Sequence, residues 1–271
     1  MTDYLRRYLA GEHERVWDDL LALGERVREE PVYTDACAVA DETMRRAKHN
    51  IVLIIQRLLE VGYRFGYSWC SQSEQSFLER ELDPPPPFTE PDPDIILQLD
   101  DLEEKVGILP LSLRAWYEHV GSVNLVGMYP VDDPSDPEGF AHLPQVKASG
   151  KQFTMREYTE LMGGRPCRHD LDPLWVYPFD NARAYLEELV TPTLALAPDE
   201  HFKLGYPGGG DYTVALPNAA SDSTLDYEWH HTTFVNYLRI CFRWGGFPGL
   251  ECKRRRPDKE LAFLTEGLLP I

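Results

Sequence analysis

Cationic side chains are scarce in this sequence: 27 Lys and Arg stand against 45 Asp and Glu, a formal net charge of −18 with histidine neutral. That balance repels phosphates and excludes a broad nucleic-acid or anionic-membrane surface. Long apolar runs are also missing. Ile51-Val-Leu-Ile-Ile55 is among the longest, far short of the roughly 20 residues that cross a bilayer. Met1-Thr-Asp-Tyr-Leu-Arg-Arg7 lacks the apolar core of a signal peptide. The five cysteines (37, 70, 167, 241 and 252) are odd in number and contain no Cys-x-x-Cys pair. Neither a zinc knuckle nor a redox pair is indicated, and the expectation is small buried thiols kept reduced in the cytoplasm. No Gly-x-Ser-x-Gly elbow presents a nucleophile. The glycine run at Pro207-Gly-Gly-Gly210 lacks the Lys-Ser/Thr that a phosphate loop requires. No cofactor and no metal is expected.

Core-forming material is plentiful, with 43% hydrophobic and 11% aromatic residues among 271. Residues 4–28 carry Leu5, Leu9, Val16, Leu20, Leu23 and Val27 at helical spacing, and Pro31 stops that run. A second helix then follows with Asp35 as its cap, Ala36, Val39, Ala40, Met44, Ala47, Ile51, Ile54, Ile55, Leu58 and Leu59 as its apolar stripe, and Gly62 at its end. Asp83-Pro-Pro-Pro-Pro87 cannot continue a helix and reads as a stiff extended connector. Beyond it come a helix capped by Asp94 and a short helix with Leu113, Trp116 and Tyr117. Segments 123–129, 174–178, 193–197, 201–206 and 211–216 read as strands, and 179–190 and 232–244 as helices. The expected fold is α+β: a helical hairpin over 1–83, a Pro-rich linker over 84–93, and over 94–271 an antiparallel sheet with helices on one face.

The second region resembles the SUKH superfamily, the cell-wall-assembly-regulator and Syd-like fold. A Glu-rich helix, a Leu-Pro pair, a short aromatic helix and a glycine before the first strand mark that family. Glu103, Glu104, Leu109, Pro110, Trp116, Tyr117 and Gly121 stand in those places. The chain departs from the family where it reads Gly121-Ser-Val-Asn124 in place of Asn-Gly-Gly, and the N-terminal hairpin lies outside the family's domain. Leu111-Ser-Leu-Arg-Ala-Trp-Tyr117 also looks like a group of bacterial proteins of similar length. Bacterial members of the superfamily are commonly immunity proteins that neutralise a toxin, and others are scaffolds. The resemblance therefore implies binding and brings no catalytic residues.

Several constellations compete for a functional role. Between residues 92 and 105 six acids face a single lysine, a density that would steer a cationic partner but also suits a helix N-terminus. Asp132, Asp133, Asp136 and Glu138 crowd one Pro- and Gly-containing loop without the spacing of a calcium loop. His169-Asp170-Leu-Asp172 and Asp199-Glu200-His201 place imidazoles beside carboxylates. In Glu228-Trp-His-His231, Glu228 and His230 would share one face of a strand and could act as an acid–base pair. Lys253-Arg-Arg-Arg256 is the only basic block.

The leading expectation is a cytoplasmic binding module, not an enzyme, whose partner is a protein such as a basic toxin. Its contacts would be Asp100, Asp101, Glu104, Tyr129, Asp132, Asp133, Asp136, Trp175 and Trp229, since charge steers encounter and Trp and Tyr anchor interfaces. Two other readings stay open: a hydrolase using Glu228 and His230 with His201 and Asp199, and a scaffold that self-associates through its N-terminal hairpin.

Overall fold

A computed structural model describes residues 3–66, 86–128, 172–184, 186, 192–203, 208–253 and 259–271. The expected helix over 4–28 is divided. Gly11, at φ +103°, separates α1 (Tyr4–Leu9) from α2 (His13–Ala22), and a 3₁₀ turn (Gly24–Arg28) follows. Pro31 starts α3 (Val32–Glu60) one turn earlier than expected. Asp35 caps a helix, but not its own. Its carboxylate accepts the Tyr4 N–H at 2.6 Å and the Leu5 N–H at 3.2 Å, two amides at the start of α1 that have no partner within that helix.

The 29 residues of α3 bury Ala36, Val39, Ala40, Met44, Ala47, Ile51, Ile54 and Leu58, much of the stripe expected from the spacing; Leu59 is exposed. Against this helix pack α1, the 3₁₀ turn and α5 (Leu111–His119), which follows α4 (Ile95–Val106). Trp116 of α5 is fully buried, edge-on to Phe234, and the adjacent Tyr117 meets Phe179 in the same way. The buried core is one cluster from Tyr8 to Ile271, so the N-terminal helices share it with the rest of the chain.

The strands are short and pair antiparallel. β1 (Arg64–Phe65) joins β4 (Gly127–Met128), while β2 (Phe88–Thr89), β3 (Ser122–Asn124) and β5 (Trp175–Val176) form a three-stranded piece with Val123 between Phe88 and Val176. β6 (Thr193–Pro198) and β7 (Asp211–Ala215) form a hairpin, and the Tyr177 N–H donates to Leu196 O at 2.9 Å, tying β5 to it. The expected helices at 179–190 and 232–244 occur as α6 (Phe179–Arg183) and α8 (Phe234–Arg243). The strand expected over 201–206 is corrected, because its described part is a helical turn, α7 (Glu200–Lys203). Asp199 accounts for the difference: its carboxylate accepts the Phe202 N–H at 2.7 Å and the Gly210 N–H at 2.6 Å, which folds the segment back on the glycine loop.

One loop serves two helices. Ala220 O and Ser221 O accept the N–H groups of Leu111 and Ser112 at the start of α5, and Ser223 O accepts that of Phe234 at the start of α8. Between them the buried Asp222 takes the Ser112 hydroxyl at 2.6 Å and the amides of Ser223 and Val235 at 2.9 and 3.0 Å. Asp222→Ala would strand these donors, and it should lower unfolding free energy by about 3 kcal/mol, read as an earlier denaturant midpoint at unchanged slope.

Gly121 joins α5 to β3 at φ +91°, and a Cβ there would press on Thr89 O and lie 2.8 Å from Pro91 N. Gly121→Ala should therefore cost roughly 2–3 kcal/mol by the same measurement, through both the backbone conformation and the clash.

Candidate functional site: an acidic helix face and two buried polar clusters

α4 separates its residues cleanly. Ile95, Leu99 and Leu102 recur at one face and are buried, while Ile96 and Leu97 are 55% and 68% exposed. Asp100, Asp101 and Glu104 are exposed as well, so two apolar side chains stand on an otherwise acidic outer face. The carboxylates are not equivalent. Arg114 of α5 reaches Asp100 Oδ1 at 2.8 Å, Glu103 Oε2 at 2.6 Å and Glu118 Oε1 at 2.9 Å. Glu103 also accepts the Leu109 N–H at 3.0 Å and so closes the turn between α4 and α5. Asp101 pairs with Lys105 one turn on, at 2.9 Å. Glu104 forms no ion pair among the described residues, which makes it the least neutralised of the three expected contacts on this helix.

The expected aromatic contacts lie elsewhere and are half-buried. Trp175 packs edge-on to Tyr177 and Phe202, and Trp229 lies tilted over the His230 ring at 3.5 Å. Tyr227, which residue type and charge did not single out, is 83% exposed. It sits at φ +68° in a tight turn, and the His231 N–H closes that turn onto Glu228 O at 3.0 Å.

The same turn brings Glu228 and His230 together, though not on the strand that was expected. Glu228 is fully buried. It faces His230 Nδ1 at 2.5 Å through one oxygen and accepts the His230 backbone N–H at 2.9 Å through the other. On the far side His230 Nε2 is 3.3 Å from Glu251. Burial pushes this imidazole toward the neutral form, but the two carboxylates reverse that and hold its pKa above the ordinary value. The imidazole is clasped between two carboxylates, hydrogen-bonded to Glu228 through Nδ1, while its Nε2 is buried with no hydrogen-bond partner among the described residues.

A buried ion pair, invisible as a motif, joins Asp172 to Lys203 at 2.5 Å across 31 residues. Both side chains are almost wholly excluded from solvent; the Tyr237 hydroxyl lies 3.5 Å from the ammonium, and the Tyr212 ring is beneath it at 5.1 Å. Tyr212 donates to Glu200 at 2.9 Å. Burial raises the Asp172 carboxyl and Lys203 opposes this, while Asp172 Oδ2 has no hydrogen-bond partner among the described residues. The pair fastens α7 to the segment before β5. His201 is exposed on α7, and both Asp199 oxygens are already taken by backbone amides.

Tyr129, Asp132, Asp133, Asp136, Glu138, His169 and Asp170 lie outside the described residues, as do the side chains of the basic block 253–256. Comparison with family models, curated proteins and solved structures gave no match.

The His230 clasp has a defined pH signature. A folded-state pKa above the unfolded 6.5 contributes stability that is complete below 6.5 and lost as pH rises through the raised value. The stability gap between the native chain and a His230→Gln variant should therefore be widest between about pH 5 and 6.5, while the carboxylates stay ionised, and should narrow toward alkaline pH. Thermal unfolding of both chains across that range measures it.

Proposed function

We propose that this chain is a cytoplasmic protein-binding module of the SUKH type, an immunity protein that covers the surface of a basic toxin. The observation that carries the reading is the outer face of α4, where Ile96 and Leu97 stand exposed among Asp100, Asp101 and Glu104. Apolar anchors ringed by charge suit a protein interface: the anchors gain from desolvation, and the charges steer the encounter. The net charge of −18 favours a cationic partner, and toxins that cleave nucleic acid need cationic surfaces to hold it. The SUKH type rests on the sequence pattern of Glu103, Glu104, Leu109-Pro110, Trp116, Tyr117 and Gly121. The scaffold reading has only the separate exposed Leu9 and Leu21 on α1 and α2, whose other large apolar residues join the shared core. The Glu228–His230 pair, the centre of the hydrolase reading, lies in the interior, with Glu228 fully buried and His230 Nε2 shut off from solvent.

The test is capture of partners with the native chain and with Leu97→Asp and Glu104→Lys, in low salt and at about 0.5 M, where surface charges are screened. The expected outcome is one stoichiometric basic protein held by the native chain at low salt, released at high salt and lost by Leu97→Asp. Glu104→Lys should slow its association without altering thermal unfolding. A partner retained equally by both variants, or none at either salt, would overturn the proposal.

A further inference from the structure

α3 and α5 pack against each other in the core, and at one edge of that contact three ligand-type side chains converge. Asp41 of α3 and Glu118 and His119 at the end of α5 each offer an atom, all within 4.8 Å of one another, and all three are half-buried. His119 Nε2 is 3.0 Å from Asp41 Oδ1. A histidine held by one carboxylate needs no second, yet Glu118 stands beside the pair. Arg114 occupies only Glu118 Oε1, so the other oxygen has no ion-pair partner among the described residues.

Cys37 lies one turn before Asp41 on α3 and is half-buried and free. Its sulfur is not among the atoms that converge within 4.8 Å, and burial raises its thiol pKa, away from the thiolate that a metal takes. The nearby cations are engaged elsewhere. Arg28 donates to Leu109 O and to Ala219 O and lies over the Tyr33 ring, and Arg114 is shared among three carboxylates.

We infer that Asp41, Glu118 and His119 form a binding site for a divalent transition ion of the zinc class. Imidazole and carboxylate suit such an ion in a four-coordinate site whose fourth position is left to water. Calcium and magnesium would want roughly six or more oxygens, which this set does not offer. Donors about 2.0–2.3 Å from one ion lie nearer to each other than the present spread, and side-chain rotation within the half-buried pocket closes that gap. The bound ion would clamp α3 to α5 and, through Glu118 and Arg114, brace α4. The inference stands independently of what α4 binds.

Calorimetric titration of the tag-free full chain with zinc chloride tests it, with magnesium and calcium chloride as controls. The expected result is one zinc ion per chain at micromolar or tighter Kd, weakened at least about tenfold by His119→Ala and by the isosteric Asp41→Asn. Circular dichroism of the metal-free variants verifies that they fold, and Asp41→Asn carries the test if His119→Ala does not. Absence of zinc binding, equal binding of calcium or magnesium, or zinc affinity unchanged in the folded variants would overturn the site.

Discussion

The structure depends on one long helix having enough apolar surface on the correct faces. At 1.5 Å per residue α3 is about 44 Å long, near the full span of a domain this size. Its buried positions mix Ala36, Ala40 and Ala47 with Met44, Ile51, Ile54 and Leu58. The small residues let neighbouring helices approach, and the large ones fill the space between them. α1, the 3₁₀ turn, α5 and α9 (Lys259–Thr265) all use that surface. Asn50 adds a polar lock on the same helix: its amide accepts the Leu269 N–H at 2.7 Å and donates to Leu269 O at 2.8 Å. A segment more than 200 residues downstream is thereby held to α3.

The acidity of the chain takes a different meaning once its partners are known. Asp35 serves α1, Asp222 serves α5 and α8, Asp199 closes the glycine loop, and Glu103 closes the turn before α5. These carboxylates satisfy donors at helix starts and turns, and those held by Asp222 are buried, where a donor left unpaired costs about 1–3 kcal/mol. Part of the negative charge is therefore structural, and the outward field comes from the remainder, such as Glu104.

What could be read from residue order follows the range of the interaction. The stripe of α3 and the apolar residues of α8 rest on spacing within a few positions, and they stand where the pattern puts them, whereas the strand at 211–215 pairs with 193–198 and not with the strand expected over 201–206. Asp35 shows the limit: a good cap residue was recognised, but the helix it caps begins 31 positions earlier. Phe202 and its neighbours alternate as a strand would, yet Asp199 folds them into a turn. Glu228 and His230 meet through a turn with positive φ on either side of the pair, at Tyr227 and His231, which neither residue type announces. Asp172–Lys203 and Asp41–His119 join positions 31 and 78 residues apart, and no local pattern contains them. Asp100, Asp101 and Glu104 stand exposed on α4, as expected, because charge and helical period coincide there.

α4 is attached to the body by two separable means, the inward Ile95, Leu99 and Leu102 and the Arg114 hub. Positions 96, 97, 101 and 104 take part in neither. Changes there leave the fold's free energy almost untouched, while changes at 95, 99, 102 or 103 do not. Sequence drift can thus rewrite the outward surface of this helix while the scaffold beneath it stays the same.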